Sequence, residues 1–410
     1  SVNNSIFGVN VNYATEVPFF TRLVNKLPNM DTDAPSNFSF RGEIAYLKPG
    51  ASKADQFDGE ATIYVDDFEG SQTNIDMKSP LSWSLSSTPE SNSTSTYQDF
   101  GGVQTDLSYG YKRAKINWYN IDPTFYTQRP SGITNDDISL NSTRRIFSRE
   151  LFPNTDIAQG QTQVINTLDL TYYPTERGPY NFNPAATAFN ELPNPSESFG
   201  GITRAINSTN FQQANVEFIQ FWMLDPYYDP GSPEAQAVSS NQGQLYLNLG
   251  EISEDILKDG RKQYENGLPE LGSSQPTVTS VWGKQPASQS LIYAFDTNND
   301  NRAVQDVGFD GLTDADEATT YPNFASQPDP AADNYQYFLE APGDILDRYR
   351  NYNNVQGNSP VEVNDTSRGS TTYPDVEDIN RDNTMNTINA YFEYKIDVNP
   401  TSLLTVGQNY

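Results

Sequence analysis

Apolar and polar residues alternate with a period of two at three places in the chain. Phe7, Val9, Val11 and Tyr13 alternate with Gly8, Asn10, Asn12 and Ala14. Phe38, Phe40, Gly42, Ile44 and Tyr46 alternate with Ser39, Arg41, Glu43 and Ala45, and Phe392, Tyr394, Ile396 and Val398 with Tyr391, Glu393, Lys395 and Asp397. Successive side chains of a strand point to opposite faces, so each pattern predicts a strand with one apolar face and one small or polar face. A half-buried strand of a soluble sandwich has this pattern. So does a membrane-barrel strand, with lipid outside and lumen inside.

Between these strands, from residue 60 to about 260, short apolar runs are split by Pro, Gly, Asn and Ser, as in an antiparallel β-sandwich. Strands are predicted at residues 61–65, 113–119, 163–172, 216–223 and 244–249. Helices are predicted after Ser253, where an N-cap precedes an acidic turn, and over residues 343–349. Residues 86–98 and 271–290, with further stretches near 321–334 and 353–374, read as loop excursions.

Composition narrows the chemistry. With 25 Lys+Arg against 53 Asp+Glu the formal charge is -28, which argues against a nucleic-acid or anionic-lipid partner and favours cations. The chain has no His and no Cys, which removes the Ser-His-Asp triad, the Cys-His dyad, the usual zinc sites and any disulfide framework. An enzyme is therefore not expected, although a carboxylate-based glycosidase stays open as a minor reading. No run of about 18 apolar residues occurs, so a membrane-spanning helix is not expected. The chain opens on Ser1, with no basic n-region or apolar h-region, and reads as mature or excised sequence.

Two runs, Asp296, Asn298, Asp300, Asn301 and Asp378, Asn380, Asp382, Asn383, repeat D-x-N-x-D-N. Oxygen side chains at spacing two suit a hard cation such as calcium, which takes about six to eight oxygen ligands. Neither run is an EF-hand: Asn301 and Asn383 stand where Gly belongs, and Val307 and Asn389 occupy the closing positions. They resemble instead the acidic loops of thrombospondin type 3 or dockerin-like repeats, with the run Asp310, Asp314, Asp316 and Glu317 supplying further acids nearby. Asp and Asn are also ordinary turn and cap residues, and that reading stays open beside the calcium one.

Asp66, Asp67 and Glu69 form a further acid cluster at a predicted strand end, similar to a segment of carbohydrate-binding jelly rolls. Trp83, Trp118, Trp222 and Trp282 are candidate sugar-stacking platforms, although core packing is the expected role of Trp118 and Trp222.

Five runs carry a more specific likeness: YVDDFEG at 64–70, NVEFIQFWMLDP at 215–226, DLTYYPTERGPY at 169–180, GFDGLTDADE at 308–317 and PDVEDINRDN at 374–383. Together they resemble the SprA/Sov family, the outer-membrane translocons of the type IX secretion system that are needed for gliding motility. Family members are several times longer than these 410 residues, so the resemblance implies a segment of a larger chain. It implies a mainly β protein with transmembrane β-barrel strands at the ends and a large antiparallel, jelly-roll-like β-sandwich as an extracellular cap. On that reading residues 1–48 are a barrel-strand region, 49–272 the cap, 273–388 an acidic calcium-loop region with short helices, and 389–410 a barrel or sheet strand. The resemblance further implies a bacterial outer-membrane location exposed at the cell surface, and conduction of folded cargo bearing a C-terminal type IX signal. Contact with outer-membrane lipid, a PorV-like barrel protein and a Plug protein is implied in the same way. The alternative is a cell-surface carbohydrate-binding β-sandwich module.

Overall fold

The computed structural model describes residues 5–48, 75–90, 106–154, 163–186, 191–208, 218–227, 243–265, 268–270, 272–288, 307–353 and 374–398, with single residues or short pieces at 160, 210–211, 216, 294–296, 298, 300–301 and 305. The chain divides into two compact units, Ser1–Asn74 with Asn210–Phe218, and Ile75–Thr209 with Ile219–Tyr410. The predicted strand at 61–65 and the acids Asp66, Asp67 and Glu69 lie outside the described residues.

The first unit is built on one long hairpin. Strand β1 (Ser5–Glu16) pairs antiparallel with β2 (Asn37–Lys48) in unbroken register from Ser5 opposite Lys48 to Glu16 opposite Asn37. The turn between them holds a short helix, α1 (Pro18–Val24), which starts on Pro18, a residue whose fixed φ suits a first turn. Beyond α1, Asn25 fastens the return of the chain: its Nδ2 donates to the Thr32 carbonyl at 3.0 Å and its Oδ1 accepts from Thr32 N at 2.9 Å.

The second unit follows with β3 (Ser84–Leu85), β4 (Ala114–Tyr119), α2 (Thr124–Thr127), β5 (Ile146–Phe147), α3 (Ser148–Leu151), β6 (Val164–Ile165), β7 (Asp169–Arg177), β8 (Ile202–Thr203), β9 (Gly243–Glu251), β10 (Thr277–Ser280), β11 (Gly283–Pro286), α4 (Asp314–Thr320), α5 (Ile345–Arg348) and β12 (Ala390–Val398). The described fold is thus mainly β with a few short helices. Among the described residues the strands form six two-stranded ladders, which neither stack as two broad sheets nor close into a barrel. The sandwich expected between 60 and 260 is therefore not seen there.

Packing around long irregular segments replaces the expected sheets. Trp118, Tyr180, Trp282, Phe309 and Phe324 share one core with Ile256 and Leu257. A second core is mostly aromatic, with Tyr119 stacked on Tyr349 at 4.2 Å and Phe338 stacked on Tyr349 at 4.9 Å, and Ile121, Ile133 and Ile345 filling in around them. Backbone that no ladder satisfies finds side-chain partners instead, as buried carbonyls must. Arg113 donates to the carbonyls of Pro179 and Ile256, and Arg177 to those of Asn181 and Pro330.

Several local expectations change. The strand predicted over 163–172 is split into β6 and the start of β7, and residues 216 and 218–223 form no strand. No helix follows Ser253. There the Asp255 carboxylate accepts from Asp259 N and Gly260 N, and Lys258 takes φ +56°, so the chain wraps around a side chain instead of coiling. Trp222, expected in the core, is 61% exposed, because its segment lacks the ladder that would have turned one face inward.

Candidate functional site

Two ladders present separated faces. Across β1 and β2, Phe7 lies opposite Tyr46, Val9 opposite Ile44 and Tyr13 opposite Phe40, while Asn10 faces Glu43 and Asn12 faces Arg41 on the other side. Directly opposed residues share a face, so the pairing gathers the apolar set on one side, and the other side is polar or small apart from Ile6 opposite Leu47 at its end. The apolar side is uncovered along its whole length, with aliphatic side chains in the middle and rings towards both ends. A strand of 12 residues spans about 40 Å at ~3.3 Å per residue, which exceeds the roughly 25 Å apolar band of an outer-membrane barrel. Exposed apolar surface costs about 25 cal/mol per Å², and a contiguous face of this length marks a surface made for lipid or for another protein.

The β9–β12 ladder repeats the alternation, with the aliphatic part of its apolar face half-buried. Leu245, Leu247 and Leu249 lie opposite Ile396, Tyr394 and Phe392, and Gln244 and Asn248 opposite Asp397 and Glu393. Phe392 and Tyr394 are exposed. This joins a strand assigned from sequence to the cap with one assigned to the chain's end. Near it in sequence, Phe218, Ile219, Phe221, Trp222 and Leu224 are all exposed.

The second feature is a knot of carboxylates. The turn at Gly308–Asp310 is followed by α4, whose N-cap Thr313 accepts from Asp316 N, and the loop beyond it returns through Asp329 and Asp333. Single oxygens of Asp310, Glu317 and Asp333, all three buried, lie within 4.8 Å of one another. Asp314, Glu317 and Asp329 form a second such group, with Asp314 at the surface. Asp310 Oδ1 accepts from Leu312 N at 3.0 Å and Glu317 Oε2 from Ala331 N at 2.8 Å. Asp310 Oδ2 and Asp333 Oδ2 are buried without a hydrogen-bond partner.

Two glycines let the backbone close around these groups. Gly308 adopts φ +72°, and a Cβ there would collide with Asp333 Oδ2. Gly283 adopts φ +142°, and a Cβ there would collide with the Asp310 carbonyl, which accepts from Lys284 N at 2.8 Å. Burial, and then the charge of Glu317, raises the Asp310 carboxyl well above the usual range. Burial and the charge of Asp310 do the same for Asp333, and the Tyr180 hydroxyl facing it offsets this only in part. Glu317 and Asp329 are also raised, chiefly by burial, although the Arg177 guanidinium opposes the shift in both.

Of the residues singled out in the sequence, the structure brings Asp310 and Asp314 into this knot. Asp296, Asn298 and Asp300 form a local turn in which Asp296 Oδ1 accepts from Asn298 N at 2.8 Å and its Oδ2 accepts from Asn301 Nδ2 at 2.9 Å. Asp378, Asn380 and Asp382 form another: Asp378 accepts from Asp382 N and Asn383 N, and pairs with Lys262 Nζ at 3.6 Å. Asp329 and Asp333 were missed, and Glu317 was read only as an acid of the run at 310–317, not as a ligand. Glu317 was findable, since it stands three residues after Asp314 on one helical face. Asp329 and Asp333 sit in an irregular loop with no periodic signal. Of the candidate sugar platforms, Trp118 and Trp282 are fully buried, and Trp83 is half-buried with its indole N–H donating to the Met77 carbonyl at 2.9 Å.

Residues 312–410, which include α4, α5 and β12, match the family model SprA_N, described as a motility related/secretion protein. This segment belongs to the SprA/Sov family. The SprA_N segment begins two residues after Asp310 and contains Asp314, Glu317, Asp329 and Asp333, as well as the outward-facing Phe392 and Tyr394. No curated protein matches the chain.

Proposed function

We propose that this chain is a segment of the type IX secretion translocon, in which β1–β2 and β9–β12 are lipid-facing strand pairs of an outer-membrane β-barrel. The observation that carries this reading is the β1–β2 ladder, with an uncovered apolar face framed by rings and a polar face behind it. That is the profile of a barrel wall between lipid and an aqueous lumen. Two strand pairs do not close a barrel, so the reading requires further strands. Residues between the pairs would form a cap on the outer side, since outer loops of such barrels are the long ones. The function is then passage of folded cargo bearing a C-terminal signal to the cell surface, in support of gliding motility, not catalysis. A PorV-like barrel protein and a Plug protein are the proposed partners, and the net charge of -28 disfavours nucleic acid.

The carbohydrate-binding alternative is weaker, because a buried indole cannot stack on a sugar and Trp118 and Trp282 are both buried. The test is genetic. Val9→Glu with Val11→Glu, introduced in the native bacterium, is expected to remove the protein from the outer membrane and stop surface delivery of cargo and gliding. Unchanged delivery, with the chain recovered in a soluble fraction, would overturn the reading.

A further inference from the structure

We propose that Asp310, Glu317 and Asp333 hold a divalent cation of the calcium class inside the second unit, reached from the surface past Asp314 and Asp329. Three observations converge on it. The ligand oxygens of the inner group all lie within 4.8 Å of one another, close enough for one ion to touch all three at the roughly 2.3–2.6 Å at which calcium takes oxygen. Asp310 Oδ2 and Asp333 Oδ2 are buried without a hydrogen-bond partner, and the Tyr180 hydroxyl facing Asp333 offsets its burial only in part, a costly state unless something cationic or a proton satisfies them. Glu317, Asp329 and Asp333 share the charge of one guanidinium, that of Arg177, which also donates to the carbonyls of Asn181, Pro330 and Asp329.

The donor set is all oxygen, which selects a hard cation over zinc or copper. Glu317 belongs to both groups of three, so its carboxylate links the buried position to one with Asp314 exposed and Asp329 half-buried. That outer group gives an ion an entry path and partial dehydration on the way in. The bond from Ala331 N to Glu317 Oε2 fixes the loop of Asp333 against α4, so an ion here would tie the turn at 308–310, the helix and the returning loop together. The site is distinct from the two D-x-N-x-D-N turns. It also stands or falls independently of the membrane reading, because it lies wholly within the second unit.

The experiment uses the full chain, purified in detergent and stripped with EDTA, titrated with Ca²⁺ in a calorimeter and followed in parallel by thermal unfolding. Calcium is expected to bind and raise the Tm, with affinity falling by about tenfold or more in Asp310→Asn/Asp333→Asn. Because both changes are isosteric and relieve repulsion, the double variant is expected to fold with a Tm in EDTA at or above that of the unaltered chain. Asp296→Asn/Asp378→Asn is expected to leave the titration unchanged. Indifference of the unaltered chain to calcium and EDTA would overturn the proposal. So would a double variant that binds calcium as tightly as the parent, or loss of binding on changing Asp296 and Asp378 alone.

Discussion

Val9 lies directly across the β1–β2 ladder from Ile44, and both side chains are open to their surroundings, at 61% and 72% exposure. Neighbouring Asn10 and Glu43 oppose each other on the reverse face. A charge placed on the apolar face and one placed on the polar face should therefore have very different effects. Val9→Lys or Ile44→Lys is expected to cost about 2–4 kcal/mol of stability in a bilayer, and Asn10→Lys close to nothing. Urea unfolding of the protein in lipid, variant by variant, checks the contrast.

Trp118 is, with Trp282, one of the two largest fully buried side chains of the first core, and its indole N–H donates to the Trp83 carbonyl at 3.2 Å. Trp118→Ala removes that bond and leaves a cavity. The expected loss is roughly 3–5 kcal/mol, read from denaturant unfolding followed by near-ultraviolet circular dichroism.

Glu377 fastens the loop at 374–386 to the segment at 253–265. Its Oε1 accepts from Ile256 N at 2.9 Å and Leu257 N at 3.3 Å, and its Oε2 from Gln263 N at 2.8 Å. Glu377→Ala strands those donors, and a buried unsatisfied donor costs about 1–3 kcal/mol. Hydrogen exchange should speed up at Ile256, Leu257 and Gln263 in the variant while the β1–β2 amides keep their protection.

The legible part of the fold was the part built on simple repetition. β1, β2 and β12 could be read from period-two alternation because each carries two unlike faces, and β4 from a short apolar run. The pairing of β9 with β12 could not be read, since its partners are separated by about 140 residues and nothing in either strand names the other. No sandwich is seen among the described residues, where side chains do the work of ladders: Arg113 and Arg177 satisfy buried carbonyls in segments that look like strand-and-turn sequence. For the carboxylate knot, Asp310 and Asp314 were visible as an acidic run, whereas Asp333 is brought in only by the tertiary return of its loop.

Burial should also show in alkaline solution. Burial pushes the phenol of Tyr109 up to about 12, although Arg113 works against it, and pushes that of Tyr126 up to about 12. Both folded values lie above the unfolded value of about 10. Their stabilising contribution is therefore fully present below pH ~10 and is lost as pH rises through about 12. Phenolate absorbance is expected to rise in two phases, with exposed tyrosines first and Tyr109 and Tyr126 only with unfolding. Tyr109→Phe and Tyr126→Phe should shrink the second phase.

The absence of cysteine makes the central claim directly accessible to single-cysteine labelling. Spin labels at positions 7 to 13 and 40 to 46, in the protein embedded in its native outer membrane, would be read for collision with oxygen, which concentrates in lipid, and with a water-soluble nickel chelate. A lipid-facing barrel wall predicts oxygen accessibility at Val9, Val11 and Ile44 and chelate accessibility at Asn10, Asn12 and Glu43, alternating residue by residue. Chelate accessibility at every position, with no alternation, would contradict a membrane-spanning hairpin.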